Sequence, residues 1–134
     1  INVLLPLFEA YRLANGMSNN PDRTLTFLTN RIRFNESIFF IAVNENSQPV
    51  GFIQLYPRLS SLRLQRYWQL TDIFVREDMC QPDIYTALIS KAKEFVRYTQ
   101  SNRLVTELDP IQQSMLENEG FKLNTKKNLF ELTL

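Results

Sequence analysis

From Trp68 the chain reads Trp68-Gln69-Leu70-Thr71-Asp72-Ile73-Phe74-Val75, and from Pro82 it reads Pro82-Asp83-Ile84-Tyr85-Thr86-Ala87-Leu88-Ile89-Ser90-Lys91-Ala92-Lys93-Glu94-Phe95-Val96-Arg97-Tyr98. The apolar period changes between the two. The first stretch belongs to a run rich in β-formers, with Leu62, Leu64, Trp68, Leu70 and Phe74 on one parity, and it predicts a long strand over 62–75. The second carries one stripe of Ile84, Ala87, Leu88, Ala92, Phe95 and Val96, while Lys91, Lys93, Glu94 and Arg97 lie off it. That spacing predicts a helix over 82–98. A long strand feeding a long helix is the unit around which the other elements arrange.

Upstream, Ile38-Phe39-Phe40-Ile41-Ala42-Val43 is a short β-forming run, 44–49 is a polar turn and 50–56 reads as a second strand. Three strands joined this briefly predict an antiparallel meander. Before them, Leu4, Leu5, Leu7, Phe8 and Tyr11 recur at helical spacing over 3–14, with Pro6 near the start and Asn15-Gly16 as the stop. Asn20-Pro21-Asp22 reads as a cap with Pro at the first helical position. It opens a second helix to about Ile32, with Leu25, Leu28 and Ile32 on one face. Downstream come a short strand (104–108), a short helix (111–118) and two terminal strands joined at Thr125-Lys126-Lys127-Asn128. The order is α, α, β, β, β, α, β, α, β, β, read as one α/β domain over 1–134.

Composition narrows the chemistry. With 44% hydrophobic and 22% charged residues, the chain is built to fold into a globule. A net charge of +1 with no long run of one sign argues against nucleic acid as a partner. No apolar run approaches the roughly 18 residues of a membrane span, so no membrane partner is expected. The single cysteine excludes an intrachain disulfide and fits a reducing cytoplasm. There is no histidine. Hydrolases with a histidine base and histidine-ligated metal centres are therefore excluded, and no metal is expected.

Three fragments then carry a family resemblance. They are Val50-Gly51-Phe52-Ile53-Gln54-Leu55-Tyr56-Pro57 with Ser60-Ser61, Trp68 to Val75, and Glu117-Asn118-Glu119-Gly120-Phe121. In order and separation they resemble the GNAT superfamily of acyl-CoA-dependent N-acetyltransferases. The resemblance covers nearly the whole chain. It implies a mixed, mostly antiparallel sheet flanked by helices, acetyl-CoA as acyl donor, and a small-molecule or peptide amine as acceptor. Family members usually open with a strand before the first helix. Here that strand is missing, which leaves 38–43 as an apolar sheet edge without Lys or Pro. A homodimer or a strand-donating partner is the expected consequence.

The resemblance places the coenzyme along Ile73, Phe74 and Val75 and in a loop usually reading Gln/Arg-x-x-Gly-x-Gly/Ala. Here that loop reads Cys80-Gln81-Pro82-Asp83-Ile84-Tyr85. Glycine serves there because the backbone must approach a pyrophosphate without an intervening Cβ. Asp83 instead puts a carboxylate at the phosphate position, and Tyr85 a ring. The plain structural reading is a well-capped helix. Many members also carry an acidic Tyr just before Glu-x-x-Gly-Phe, which protonates the leaving thiolate; Leu116 holds that place here. Two readings stand: an N-acetyltransferase, or a GNAT fold kept as a binding module that does not take acetyl-CoA in the usual way.

Among individual residues, Asp72 is the candidate general base, because a carboxylate in a central apolar strand is costly unless it is used or paired. The alternative is a β-bulge or an ion pair beside a polar neighbour. Tyr56 and Trp68 are substrate-cleft candidates, with core packing as the alternative. Cys80 has no histidine to activate it and reads as inert. Arg58, Arg63 and Arg66 read as a solvated edge.

Overall fold

In the computed structural model, which describes residues 1–77, 82–107, 113–124, 127 and 129–134, the expected order of elements is present. They are α1 (Leu4–Ala14), α2 (Pro21–Arg33), β1 (Ile38–Val43), β2 (Pro49–Ser60), β3 (Gln65–Val75), α3 (Pro82–Tyr98), β4 (Arg103–Glu107), α4 (Gln113–Asn118), β5 (Lys122–Asn124) and β6 (Leu129–Thr133). The six strands form one sheet in the order β1-β2-β3-β4-β6-β5. Only β3 and β4 run parallel; every other neighbouring pair is antiparallel. This is the mixed α/β architecture of GNAT folds, with β1 at an edge.

Local chemistry sets the helix ends. The Asn20 side chain accepts from the Arg23 amide at 3.3 Å, and Pro21 occupies the first turn of α2. Gly16 stops α1 with φ +82°, a conformation that side-chain-bearing residues rarely take.

Alternation along the strands builds a core on each face of the sheet. Ile53, Leu55, Trp68, Leu70, Ile73 and Val75 bury against Leu88, Ile89, Ala92 and Val96 of α3. On the opposite face Phe52 packs with Leu4, Leu7, Phe8 and Leu28 of α1 and α2. The Phe52 ring sits 5.3 Å from that of Phe8 and 5.4 Å from that of Tyr11. Each fully buried side chain of this size contributes roughly 1.5–3 kcal/mol of transfer free energy.

Three expectations are corrected. The long strand does not begin at Leu62: Leu62 and Leu64 lie in the β2–β3 turn and are 95% and 89% exposed. Nor does β3 keep one parity. Gln54 pairs with Asp72 and Leu55 with Leu70, so Thr71 is an extra residue, a β-bulge. The bulge rotates the strand, which leaves Trp68 and Leu70 on the α3 side and moves Phe74 to the α1 side. In the helices, Ile89 is buried where Ala87 was expected, and α2 buries Thr24 and Leu28 while Leu25 and Ile32 stay exposed. Thr24 turns inward because its hydroxyl, together with Arg12, engages the buried carboxylate of Glu9. Leu108, the first two residues of the expected 111–118 helix, and three of the four residues of the terminal turn lie outside the described residues.

Candidate active site where two strands part

The parallel pairing of β3 and β4 is short. Trp68 pairs with Leu104, Gln69 with Val105 and Leu70 with Thr106, and there the register ends. The Thr106 hydroxyl donates to the Leu70 carbonyl at 2.9 Å and marks the point of parting. Beyond it, β3 continues to Val75 paired only with β2. The Arg76 amide donates to the Val50 carbonyl at 2.8 Å. Antiparallel ladders alternate, so Phe74 also bonds to β2, whereas the peptide groups of Ile73 and Val75 point the other way, toward β4. A wedge results, floored by main-chain donors that no described strand pairs.

Asp72 stands at the narrow end of the wedge, directly after the bulge. Its Oδ1 accepts from the Tyr11 hydroxyl at 2.6 Å, and its Oδ2 accepts from Gln54 Nε2 and Thr71 Oγ1, both at 2.6 Å. Gln54, 1% exposed, accepts in turn from Ser37 Oγ at 2.9 Å. The carboxylate thus ties α1 and β2 to the bulge. Tyr56 lies on the same face of the sheet. Burial pushes its hydroxyl above the usual phenol range, and the Asp72 charge adds to the rise.

The sheet face over β3, β4 and β6 holds a cavity of about 360 Å³, lined by Tyr67, Gln69, Val105, Thr106, Glu107, Lys127 and Leu129. Glu107 ends β4 beside the wedge, exposed, and has no partner among the described residues. Next to the cavity, Arg103 binds Glu131 at 2.7 Å and stacks over Tyr67 at 4.6 Å. The Arg103 hydrogen bond holds the Glu131 carboxyl below its ordinary range.

The structure brings Ile73, Val75, Asp72 and Tyr56 to the region of the wedge, with Phe74 turned into the α1 core. Trp68 is placed elsewhere. It is 4% exposed, its Nε1 donates to Thr99 at 3.0 Å, and its ring meets Phe95 edge-on at 5.0 Å. It is a core residue rather than a cleft wall. Leu116 is likewise buried in the α3-side core. In the first turn of α3, Asp83 is exposed, while Ile84 and Tyr85 pack half-buried against that core. Cys80 and Gln81 lie outside the described residues. Sequence reasoning missed Tyr11, Gln54 and Glu107. Gln54 carried a usable signal, a polar residue inside the apolar run 50–55, as Asp72 did in its own strand. Tyr11 carried none, since it meets Asp72 across 61 residues of chain.

Among the described residues, no group of three or more His, Cys, Asp or Glu is placed to hold a metal ion. No described helix is long and apolar enough to cross a membrane.

Comparison with known proteins bears on the family and the fold. Over 134 residues the chain is 71% identical to a protein of Haemophilus influenzae named "Probable acetyltransferase", covering 100% of this chain and 92% of that one. A solved structure of a probable acetyltransferase is 33% identical and superposes with a TM-score of 0.87, covering 93% of this chain and 85% of that one. A predicted acetyltransferase of Clostridium acetobutylicum, solved with acetyl-CoA, shares the fold at a TM-score of 0.73 and 13% identity, covering 91% of this chain and 83% of that one. No family model matches the chain.

Proposed function

The chain belongs to the GNAT superfamily, a family of acetyltransferases, and on that premise we propose that it transfers an acetyl group from acetyl-CoA to an amine at the wedge between β3 and β4. The observation that carries this reading is the main-chain strip of β3. The peptide groups of Ile73 and Val75 face the side where β4 no longer pairs, so they have the right donors and direction to hold an extended thioester arm.

Acetyl-CoA supplies the activated acetyl thioester. The residues of this chain bind, orient and move protons. N–H groups of the Ile73–Val75 strip stabilise the negative charge that builds on the carbonyl oxygen as the amine attacks. Asp72 acts as a positioning residue, because both its oxygens already accept hydrogen bonds and so fix the bulge that starts the wedge. The nearby carboxylate with no described partner is Glu107, and it takes the proton that the amine loses on attack. The departing thiolate takes its proton from solvent water.

A second reading, a GNAT fold that no longer transfers acetyl groups, is favoured by Leu116, which is 2% exposed at the place of the family's acidic Tyr. Of the two obstacles expected at the coenzyme loop, Tyr85 packs against the core, and the Asp83 carboxylate remains. Calorimetry with acetyl-CoA separates the readings. Binding at micromolar strength is the expected result. No heat at millimolar ligand would leave the second reading standing.

A further inference from the structure

Building on the acetyl-transfer reading, we propose that the acceptor is an amine bearing an anionic group close to the nitrogen, as an α-amino acid does, held between Glu107 and Lys127. Both residues line the cavity on the open sheet face. At about 360 Å³ it has room for one small molecule. Its charges are separated rather than paired. Glu107, on the β4 side where the wedge opens, has no partner among the described residues. Lys127 does not bond Glu107; it leans 3.9 Å from Glu131 Oε1. Glu131 is already engaged, by Arg103 at 2.7 Å and by Asn124 at 3.5 Å. Arg103, Lys127 and Glu131 together therefore leave one positive charge over, and it borders the cavity.

This arrangement sorts amines by their other charges. The amine must sit at Glu107, since that end adjoins the wedge. A plain monoamine uses Glu107 and leaves Lys127 unanswered. A polyamine brings a second cation toward Lys127 and is repelled. A zwitterion satisfies both ends at once. Tyr67, Gln69 and Leu129 then bound the space left for a side chain.

The test uses matched pairs that differ by one carboxylate: glycine and methylamine, L-phenylalanine and phenethylamine, L-tyrosine and tyramine, with spermidine as the polyamine. Binding to the protein is followed by NMR shift perturbation and by calorimetry, without acetyl-CoA. Both charges are solvent-exposed, so the amino acid of at least one pair should bind about three- to fivefold tighter than its decarboxylated partner. Lys127→Glu should erase that preference and strengthen spermidine binding. Glu107→Gln should weaken both members of a pair. Equal binding within every pair, spermidine as the tightest ligand of the parent protein, or a preference that survives Lys127→Glu would each overturn the proposal. Acetyl-CoA is titrated in parallel. Its failure to bind overturns the transfer reading instead, whatever the amines do.

Discussion

A carboxylate inside a strand must find donors, and Asp72 finds three from three different segments of the chain. Removing it leaves Gln54, 1% exposed, with an unsatisfied amide and takes away the acceptor of the Tyr11 hydroxyl bond. Asp72→Ala should therefore cost roughly 1–3 kcal/mol, whereas Tyr11→Phe, which deletes one donor, should cost about 0.5–1.5 kcal/mol. Urea unfolding midpoints measure both, and an Asp72→Ala protein as stable as its parent would refute the anchoring role. Glu9 offers a pH-dependent counterpart. The Thr24 hydroxyl, donating to its carboxylate, holds Glu9 below the usual range, and the Asn20 amide and Arg12 help against the opposing effect of burial. A depressed carboxylate contributes stability that is fully present above its unfolded value, about 4.3, and is lost as pH falls through the folded value. Thr24→Val removes the leading cause. It should flatten the fall in melting temperature below pH about 4.5. An unchanged acid limb would show that the Thr24 contact does not set the titration.

At the level of elements, hydrophobic period and capping carry most of the fold. The helices over 4–14 and 82–98 are readable from apolar spacing, α2 over 21–33 from its cap although it buries Thr24 and Leu28 in place of Leu25 and Ile32, and the strand over 38–43 from its run of β-formers. The long strand misleads because one residue, Thr71, breaks the period without leaving a compositional trace. Gln54 and Asp72 can face each other only because that bulge lies between Asp72 and Leu70. Asp72 inside its apolar strand pointed to a site, but its pairing with Gln54 is a long-range fact. So is the meeting of Glu107 and Lys127 at one cavity. The Val50-Gly51 start of β2 shows a constraint of another kind. Gly51 faces Val75, and a Cβ there would come within 2.6 Å of the Phe74 carbonyl oxygen. This clash is with backbone, so Gly51→Ala must push β2 from β3 just where the Ile73–Val75 strip is held. We expect a loss of about 1–3 kcal/mol and weaker acetyl-CoA binding, read by thermal melting and calorimetry on the same sample. Full retention of both would mean that the two strands can separate at no cost.

For the molecule as a whole, the open flank of the sheet is β1. It lies at the end of the strand order, and its row of main-chain groups away from β2 meets no strand among the described residues. Its faces are covered in part, with Phe40 against Phe95 of α3 at 5.5 Å and under Lys91 at 5.8 Å, and with Phe39 on the other side 6.3 Å from Phe8. Among the described residues the edge carries none of the usual guards against pairing. Residues 38–43 include no Lys and no Pro, and Ile41 and Val43 are 37% and 57% exposed. A second copy can pair antiparallel along this edge and bury those side chains, joining two six-stranded sheets into one. Self-association is the expected behaviour, visible as a weight-average mass that rises with concentration in sedimentation or light scattering. Ile41→Lys with Val43→Lys places two like charges on each copy at the seam. Both residues are partly or largely exposed, so the monomer should lose no more than about 0.5 kcal/mol per site, while the association weakens. The two effects are separable, because melting temperature reports the first and mass against concentration the second. A parent protein that stays monomeric up to millimolar concentration would show that its edge is protected by something other than a second copy. A double variant that associates as strongly as the parent would place the contact on another surface.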